Sequence, residues 1–112
     1  MKVSEIPWSF RETKPSLPEL RIIGIGQNGE LASHLISEGV RIVFYALPDS
    51  PASYIEEELA KAGLVVISHS TVHRHSQLIP LVVPGVNNDH LGLIDLQSGF
   101  GKGMLVSCPN CM

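Results

Sequence analysis

Val40-Arg41-Ile42-Val43-Phe44-Tyr45-Ala46-Leu47 is an almost unbroken apolar run, and its reading decides the fold. A strand with one wet face alternates apolar and polar residues; an uninterrupted run of this kind predicts a strand covered on both faces, as parallel sheets require. The residues after the run support that reading. Asp49-Ser50-Pro51 opens a helix, with Ser50 able to cap free N–H groups and Pro51 preset for the first helical position. Ala52, Ile55, Leu59 and Ala62 recur at spacings of three and four and are expected to face the core, whereas Glu56, Glu57, Glu58 and Lys61 are expected to face water. Gly63 ends the helix, and Leu64-Val65-Val66-Ile67 is the next buried strand.

The same rhythm extends in both directions. Upstream, Arg21-Ile22-Ile23-Gly24-Ile25 reads as a strand, and Leu31, Ala32, Leu35 and Ile36 share one helical face that Gly39 closes. Residues 1–20, with Trp8, Phe10, Arg11, Pro15 and Pro18, form an irregular, proline-punctuated segment. Downstream come a polar loop from Ser68 to Gln77, an apolar stretch from Leu78 to Val83, and a helix begun by Asn87-Asn88-Asp89 that would turn Leu91, Ile94 and Leu96 inward. A glycine-rich turn, Gly99 to Gly103, then leads to a last strand, Met104-Leu105-Val106, and to Ser107-Cys108-Pro109-Asn110-Cys111-Met112. Alternating strands and helices predict an α/β fold over residues 21–112: an incomplete, Rossmann-like, doubly wound and mainly parallel sheet. Ligands of such sheets bind at the carboxyl ends of the strands, which places residues 46–50, 68–75 and 107–111 at the expected site.

Composition narrows the function. The 112 residues are 44% hydrophobic and 17% charged, suited to one small domain. The net charge of −3 comes with no basic patch, so nucleic acid is not the expected partner. No apolar h-region follows Lys2 and no stretch is long enough to span a bilayer, so a cytoplasmic protein without membrane contact is expected.

Three clusters could carry chemistry. Gly24-Ile25-Gly26-Gln27-Asn28-Gly29 matches the dinucleotide pattern G-x-G-x-x-G, with Asp49 about twenty residues on; the same glycines could also be only a turn. Ser68-His69-Ser70-Thr71-Val72-His73-Arg74-His75 gathers hydroxyls, imidazoles and a guanidinium able to grip an anion, or forms a solvated loop. Cys108-Pro109-Asn110-Cys111 is one C-x-x-C pair, half a zinc site that His73 and His75 could complete, or a redox pair, or two small buried side chains.

Several segments together resemble aspartate-semialdehyde dehydrogenase of the archaeal and fungal type. Val43 to Pro48 resembles "VFSALPS", Ile55 to Gly63 resembles the helix after it, Val66 to Arg74 is similar to "VISNASAHR", Leu81 to Leu91 to "LVIPEVNPDHL", and Ser107 to Cys111 to "TNPNC". The resemblance runs from about Leu31 to Cys111. It implies NADPH-dependent reductive dephosphorylation of L-4-aspartyl phosphate to L-aspartate 4-semialdehyde through a cysteine thioester. By that match Cys111 is the nucleophile, Asn110 helps hold the acyl group, and Arg74 grips the substrate phosphate. Ala46, Leu47 and Pro48, with Ser68, His69 and Ser70, match positions that line NADP. No metal site follows from the match.

The sequence also departs from the pattern. Tyr45 stands where the family has serine, His69 where it has asparagine, and Cys108 where it has asparagine. The family's opening G-A-T-G-x-x-G loop has no counterpart, and its later catalytic half lies beyond Cys111, so the chain alone is expected to be inactive. The rival expectation is a small binding or interaction module that associates through an exposed sheet edge or holds zinc through Cys108, Cys111, His73 and His75. Either way, sheet surface meant for another domain implies a homo-oligomer or a partner carrying the rest.

Overall fold

A computed structural model describes residues 2, 5, 7–9, 13, 14, 16, 21–25 and 30–109. Three strands, β1 (Ile42–Tyr45), β2 (Val65–Ser68) and β3 (Met104–Ser107), pair in parallel in the order β1-β2-β3. The register aligns Val43, Val66 and Leu105 in one row and Tyr45, Ser68 and Ser107 in another. Both rows lie on the same face, because side chains alternate along a strand. Helix α1 (Glu30–Ser37) precedes β1, and α2 (Asp49–Lys61) connects β1 to β2 and packs on β2 and β3. This is the α/β parallel architecture that the apolar runs predict.

The core lies between α2 and the sheet. Ala52, Leu59 and Ala60 of α2 meet Leu64, Val66 and Leu105, all buried. Gly39 and Gly63 end the two helices at positive φ, 79° and 98°, and the residue after each donates to the carbonyl five back: Val40 N to Leu35 O at 2.9 Å and Leu64 N to Leu59 O at 3.2 Å. This arrangement satisfies the last helical carbonyls and suits glycine. Gly103 serves a different need: a Cβ there would lie 1.7 Å from the Ala60 carbonyl oxygen, so only hydrogen lets β3 approach α2.

The two edges of the sheet are unlike. On the β3 side the buried Gln97 side chain acts as a short strand. It donates to Leu105 O at 2.7 Å and Leu78 O at 2.9 Å and accepts from Leu105 N at 3.0 Å. Beside it, Ser107 N donates to Pro80 O at 2.9 Å and Val82 N to Ser107 O at 3.0 Å. On the β1 side no described strand pairs, and Ile42 and Phe44 are 54% and 72% exposed.

Several sequence expectations are corrected. Arg21–Ile25 is not a strand: Arg21 makes an isolated antiparallel bridge to Lys2, and residues 22–25 are exposed. Without a neighbour there, β1 is covered on one face only, through Val43 and Tyr45. Helix α2 starts at Asp49, and Ser50 makes no cap; Pro51 still falls in the first turn, where its missing N–H costs nothing. Glu56 is fully buried rather than solvated, and Ala60, not Ala62, faces the core, because the buried stripe runs Ala52-Glu56-Ala60 at spacings of four. The apolar stretch Leu78 to Val83, to which the sequence assigns no element, contributes the parallel bridge Leu81–Ser107. Asn88–Leu96 is a 3₁₀ helix with no buried residue; Leu91 and Leu96 are exposed, since three residues per turn do not hold the α-helical stripe.

Candidate active site at the strand ends

The carboxyl ends of the three strands gather the Ala46-Leu47-Pro48 loop, the Ser68–Arg74 turn and Cys108. Backbone bonds tie them together: His69 N donates to Tyr45 O at 2.9 Å, and Cys108 N donates to Ser68 O at 2.7 Å. Ala46, Leu47 and Pro48 are exposed. Behind them an apolar cleft of about 180 Å³ is lined by Ile25, Leu31, Leu35, Val43 and Leu47.

Two carboxylates of α2 shape the turn. Asp49 Oδ1 accepts from Thr71 N at 2.8 Å, and Asp49 Oδ2 accepts from the Thr71 hydroxyl. These two bonds hold the Asp49 carboxyl below the usual carboxylate range, with the Arg74 charge adding a smaller pull. Both oxygens are therefore engaged, and Asp49 does not present the free carboxylate that the dinucleotide pattern assigns to it. Seven residues on, Glu56 Oε1 accepts from Ser68 Oγ at 2.5 Å, and Oε2 accepts from Ser70 Oγ at 3.2 Å. Ser70 N also donates to Ser68 Oγ at 3.0 Å. His73 Nε2 stands 3.3 Å from Glu56 Oε2 without hydrogen-bond alignment.

Of the residues expected to line NADP, His69 is exposed, whereas Ser68 and Ser70 are buried with their hydroxyls turned to Glu56. Arg74 is half-buried and donates from Nη2 to His69 O at 2.9 Å. Its Nε is buried without a partner among the described residues. Burial pushes the Cys108 thiol up, and the Arg74 charge pulls it partly back. Cys108 is thus favoured as a neutral thiol at physiological pH, which suits a bystander more than a nucleophile. Burial, then the Glu56 charge, also raises the Tyr45 phenol, whose hydroxyl has no partner among the described residues.

Asn110 and Cys111 lie outside the described residues, as do Gly26 to Gly29 of the glycine motif; the strand that motif requires before Gly24 does not form. The zinc constellation does not assemble among the described residues. His73 turns under α2 towards Glu56, His75 is exposed, and no three metal-binding side chains converge. Sequence reading missed Glu56 and Gln97, the two buried polar side chains that fix the turn and the β3 edge.

Comparison with known proteins agrees with this geometry. The family described as "Semialdehyde dehydrogenase, NAD binding domain" matches residues 19–94. The chain is 45% identical over 73 residues to aspartate-semialdehyde dehydrogenase of Archaeoglobus fulgidus, covering 62% of this chain and 21% of that protein. It is 38% identical over 78 residues to malonyl CoA reductase (NADP) of Metallosphaera sedula, covering 68% of this chain and 22% of that one. A crystal structure of aspartate semialdehyde dehydrogenase with NADP from Candida albicans superposes with a TM-score of 0.70 at 25% identity, covering 96% of this chain and 31% of that one. The chain spans about a fifth of the length of the curated relatives it matches.

Proposed function

The chain belongs to the semialdehyde dehydrogenase family through its NAD-binding domain, and on that premise we propose that it forms the NADP-binding part of an enzyme that reduces an activated carboxyl group to an aldehyde. The observation carrying this reading is the convergence of the Ala46–Pro48 loop, the Ser68–Arg74 turn and the Cys108 segment at the carboxyl ends of three parallel strands. The site suits the cofactor: an exposed loop stands over an apolar cleft, and the neighbouring turn carries the Arg74 guanidinium on the His69 carbonyl. Ala46, Leu47, Pro48 and His69 would line NADP, with Ser68 and Ser70 holding the turn. Bound there, the nucleotide supplies hydride to the acyl carbon.

The substrate reading is L-4-aspartyl phosphate, supported by the aspartate-semialdehyde dehydrogenases among the relatives. In it the Cys111 thiolate attacks the acyl carbon, phosphate leaves, and the Cys111 thioester is reduced to release L-aspartate 4-semialdehyde. Arg74 binds the phosphate, and Asn110 steadies the acyl oxygen. A cytoplasmic location goes with this reading; no helix among the described residues is long and apolar enough to cross a membrane.

Titration of the chain with NADPH, followed by cofactor fluorescence, tests the cofactor. One saturable site per chain is expected, and a signal that never saturates refutes it. Peptide mapping after incubation with aspartyl phosphate tests the rest. Full turnover is not expected of this part alone, but acyl transfer from a reactive acyl phosphate is a half-reaction that needs only the thiol, and an aspartyl adduct on Cys111 is expected. An adduct on Cys108 overturns the assignment, and an adduct formed only from malonyl-CoA redirects it to the chemistry named for the Metallosphaera relative.

A further inference from the structure

Glu56 is a carboxylate with no exposed surface, on a helix whose other glutamates are not buried. Burying a charge is costly unless it is fully hydrogen-bonded, and removing one partner of such a group is strongly destabilising. Here the hydrogen-bond partners are two hydroxyls of one short segment, Ser68 Oγ at 2.5 Å and Ser70 Oγ at 3.2 Å, and the His73 imidazole of the same segment packs beside them with Nε2 3.3 Å from Glu56 Oε2. The two hydroxyls also touch each other at 2.9 Å. Serine, histidine and glutamate together suggest a hydrolytic triad, but all four side chains are closed off from solvent, so no substrate reaches them.

What the cluster does is fix the backbone between β2 and Arg74. Ser68 O receives Cys108 N, His69 O receives Arg74 Nη2, and Arg74 N donates to Thr71 O at 3.3 Å. The carbonyls that receive Arg74 and Cys108 therefore lie on a turn pinned from its buried side by Glu56 and from its exposed side by Asp49. We propose that Glu56 is a positioning residue for the strand-end site: it acts through Ser68, Ser70 and His73 to hold the His69 carbonyl, and with it the Arg74 guanidinium, where an anionic ligand is bound. The effect on nucleotide rests on the cofactor reading above; the effect on the turn does not.

Glu56→Gln keeps the shape and removes the charge. Leu64→Ala serves as the comparison, because Leu64 is buried before β2, at the far end of the sheet. Amide hydrogen exchange is measured on both variants, and NADPH affinity is measured well below each melting temperature. In Glu56→Gln, exchange at Ser70, Arg74 and Ser76 should accelerate about tenfold, the worth of one charge-assisted hydrogen bond, with Val66 and Leu105 unchanged. NADPH affinity should fall by a similar factor. Leu64→Ala should lower the melting temperature at least as much yet leave both readouts near the parent. Turn amides that exchange as in the parent, or strand amides that accelerate equally, would overturn the proposal. Should Glu56→Gln not fold, Ser70→Ala removes one hydroxyl, and a turn-restricted acceleration is again required. A parent that binds no NADPH would refute the cofactor reading alone, since exchange still decides the role of Glu56.

Discussion

The two edges of the small sheet solve the same problem differently. The β3 edge is completed by a side chain and a short extended segment: Gln97 pairs both polar groups of Leu105, and residues 80–82 pair Ser107. The β1 edge is left with Phe44 and Ile42 exposed. An edge strand with free backbone groups and apolar side chains is a template for another chain. Among the described residues the sheet thus has one completed edge and one, along β1, that no strand pairs.

The comparison breaks most readily at Gly103. Gly103→Ala drives a methyl group into the Ala60 carbonyl. A loss of about 3 kcal/mol is expected, a large share of the roughly 5–15 kcal/mol that holds a domain folded, read as a lowered melting temperature. Gln97→Ala should come next. It leaves buried backbone groups of Leu105 unpaired and should cost roughly 2–4 kcal/mol in urea unfolding. A Gln97 variant as stable as the parent would mean that the β3 edge is not closed by this side chain. At the open edge, Phe44→Lys should change monomer stability by less than about 0.5 kcal/mol. It should nevertheless reduce self-association in sedimentation velocity, and equal association before and after would argue that the β1 edge plays no part.

Acid provides the finest distinction. The closed β3 edge uses neutral groups, whereas the turn at the strand ends is held by Asp49. Its carboxyl is depressed in the folded state, so its contribution is complete above the unfolded carboxylate range and disappears as pH falls through the folded value. Parent and Asp49→Asn should therefore differ at neutral pH and converge on acidification. For the parent and Gln97→Ala, the difference should stay constant over the same range.

Much of this was legible in the chain. The apolar runs located all three strands, and Gly39 and Gly63 marked the helix ends, because both signals are local. Glu56 was not legible from its charge: a glutamate triplet on a helix normally faces water, and its partners arrive from another element. The spacing Ala52-Glu56-Ala60 was the signal that could have exposed it. Gln97 gave less warning, since its partners are backbone groups of β3 and Leu78. Leu91 and Leu96 misled in the opposite sense, because a helical stripe was assumed where the chain winds as 3₁₀. Arg21–Ile25 has the composition of a strand but no described strand beside it. At the site, the positions of Arg74 and Cys108 followed from the strand-end rule, but the raised pKa of the Cys108 thiol depends on burial that sequence does not reveal.

The nucleotide site proposed for this chain is formed by the carboxyl ends of β1 and β2. The most direct measurement is a titration of the isotopically labelled chain with NADPH, followed by amide resonances. Saturable shifts at Ala46, Leu47 and Asp49 and from His69 to Arg74 are expected, with residues 88–100 unmoved. No saturable shift, or shifts confined to residues 88–100, would contradict the account.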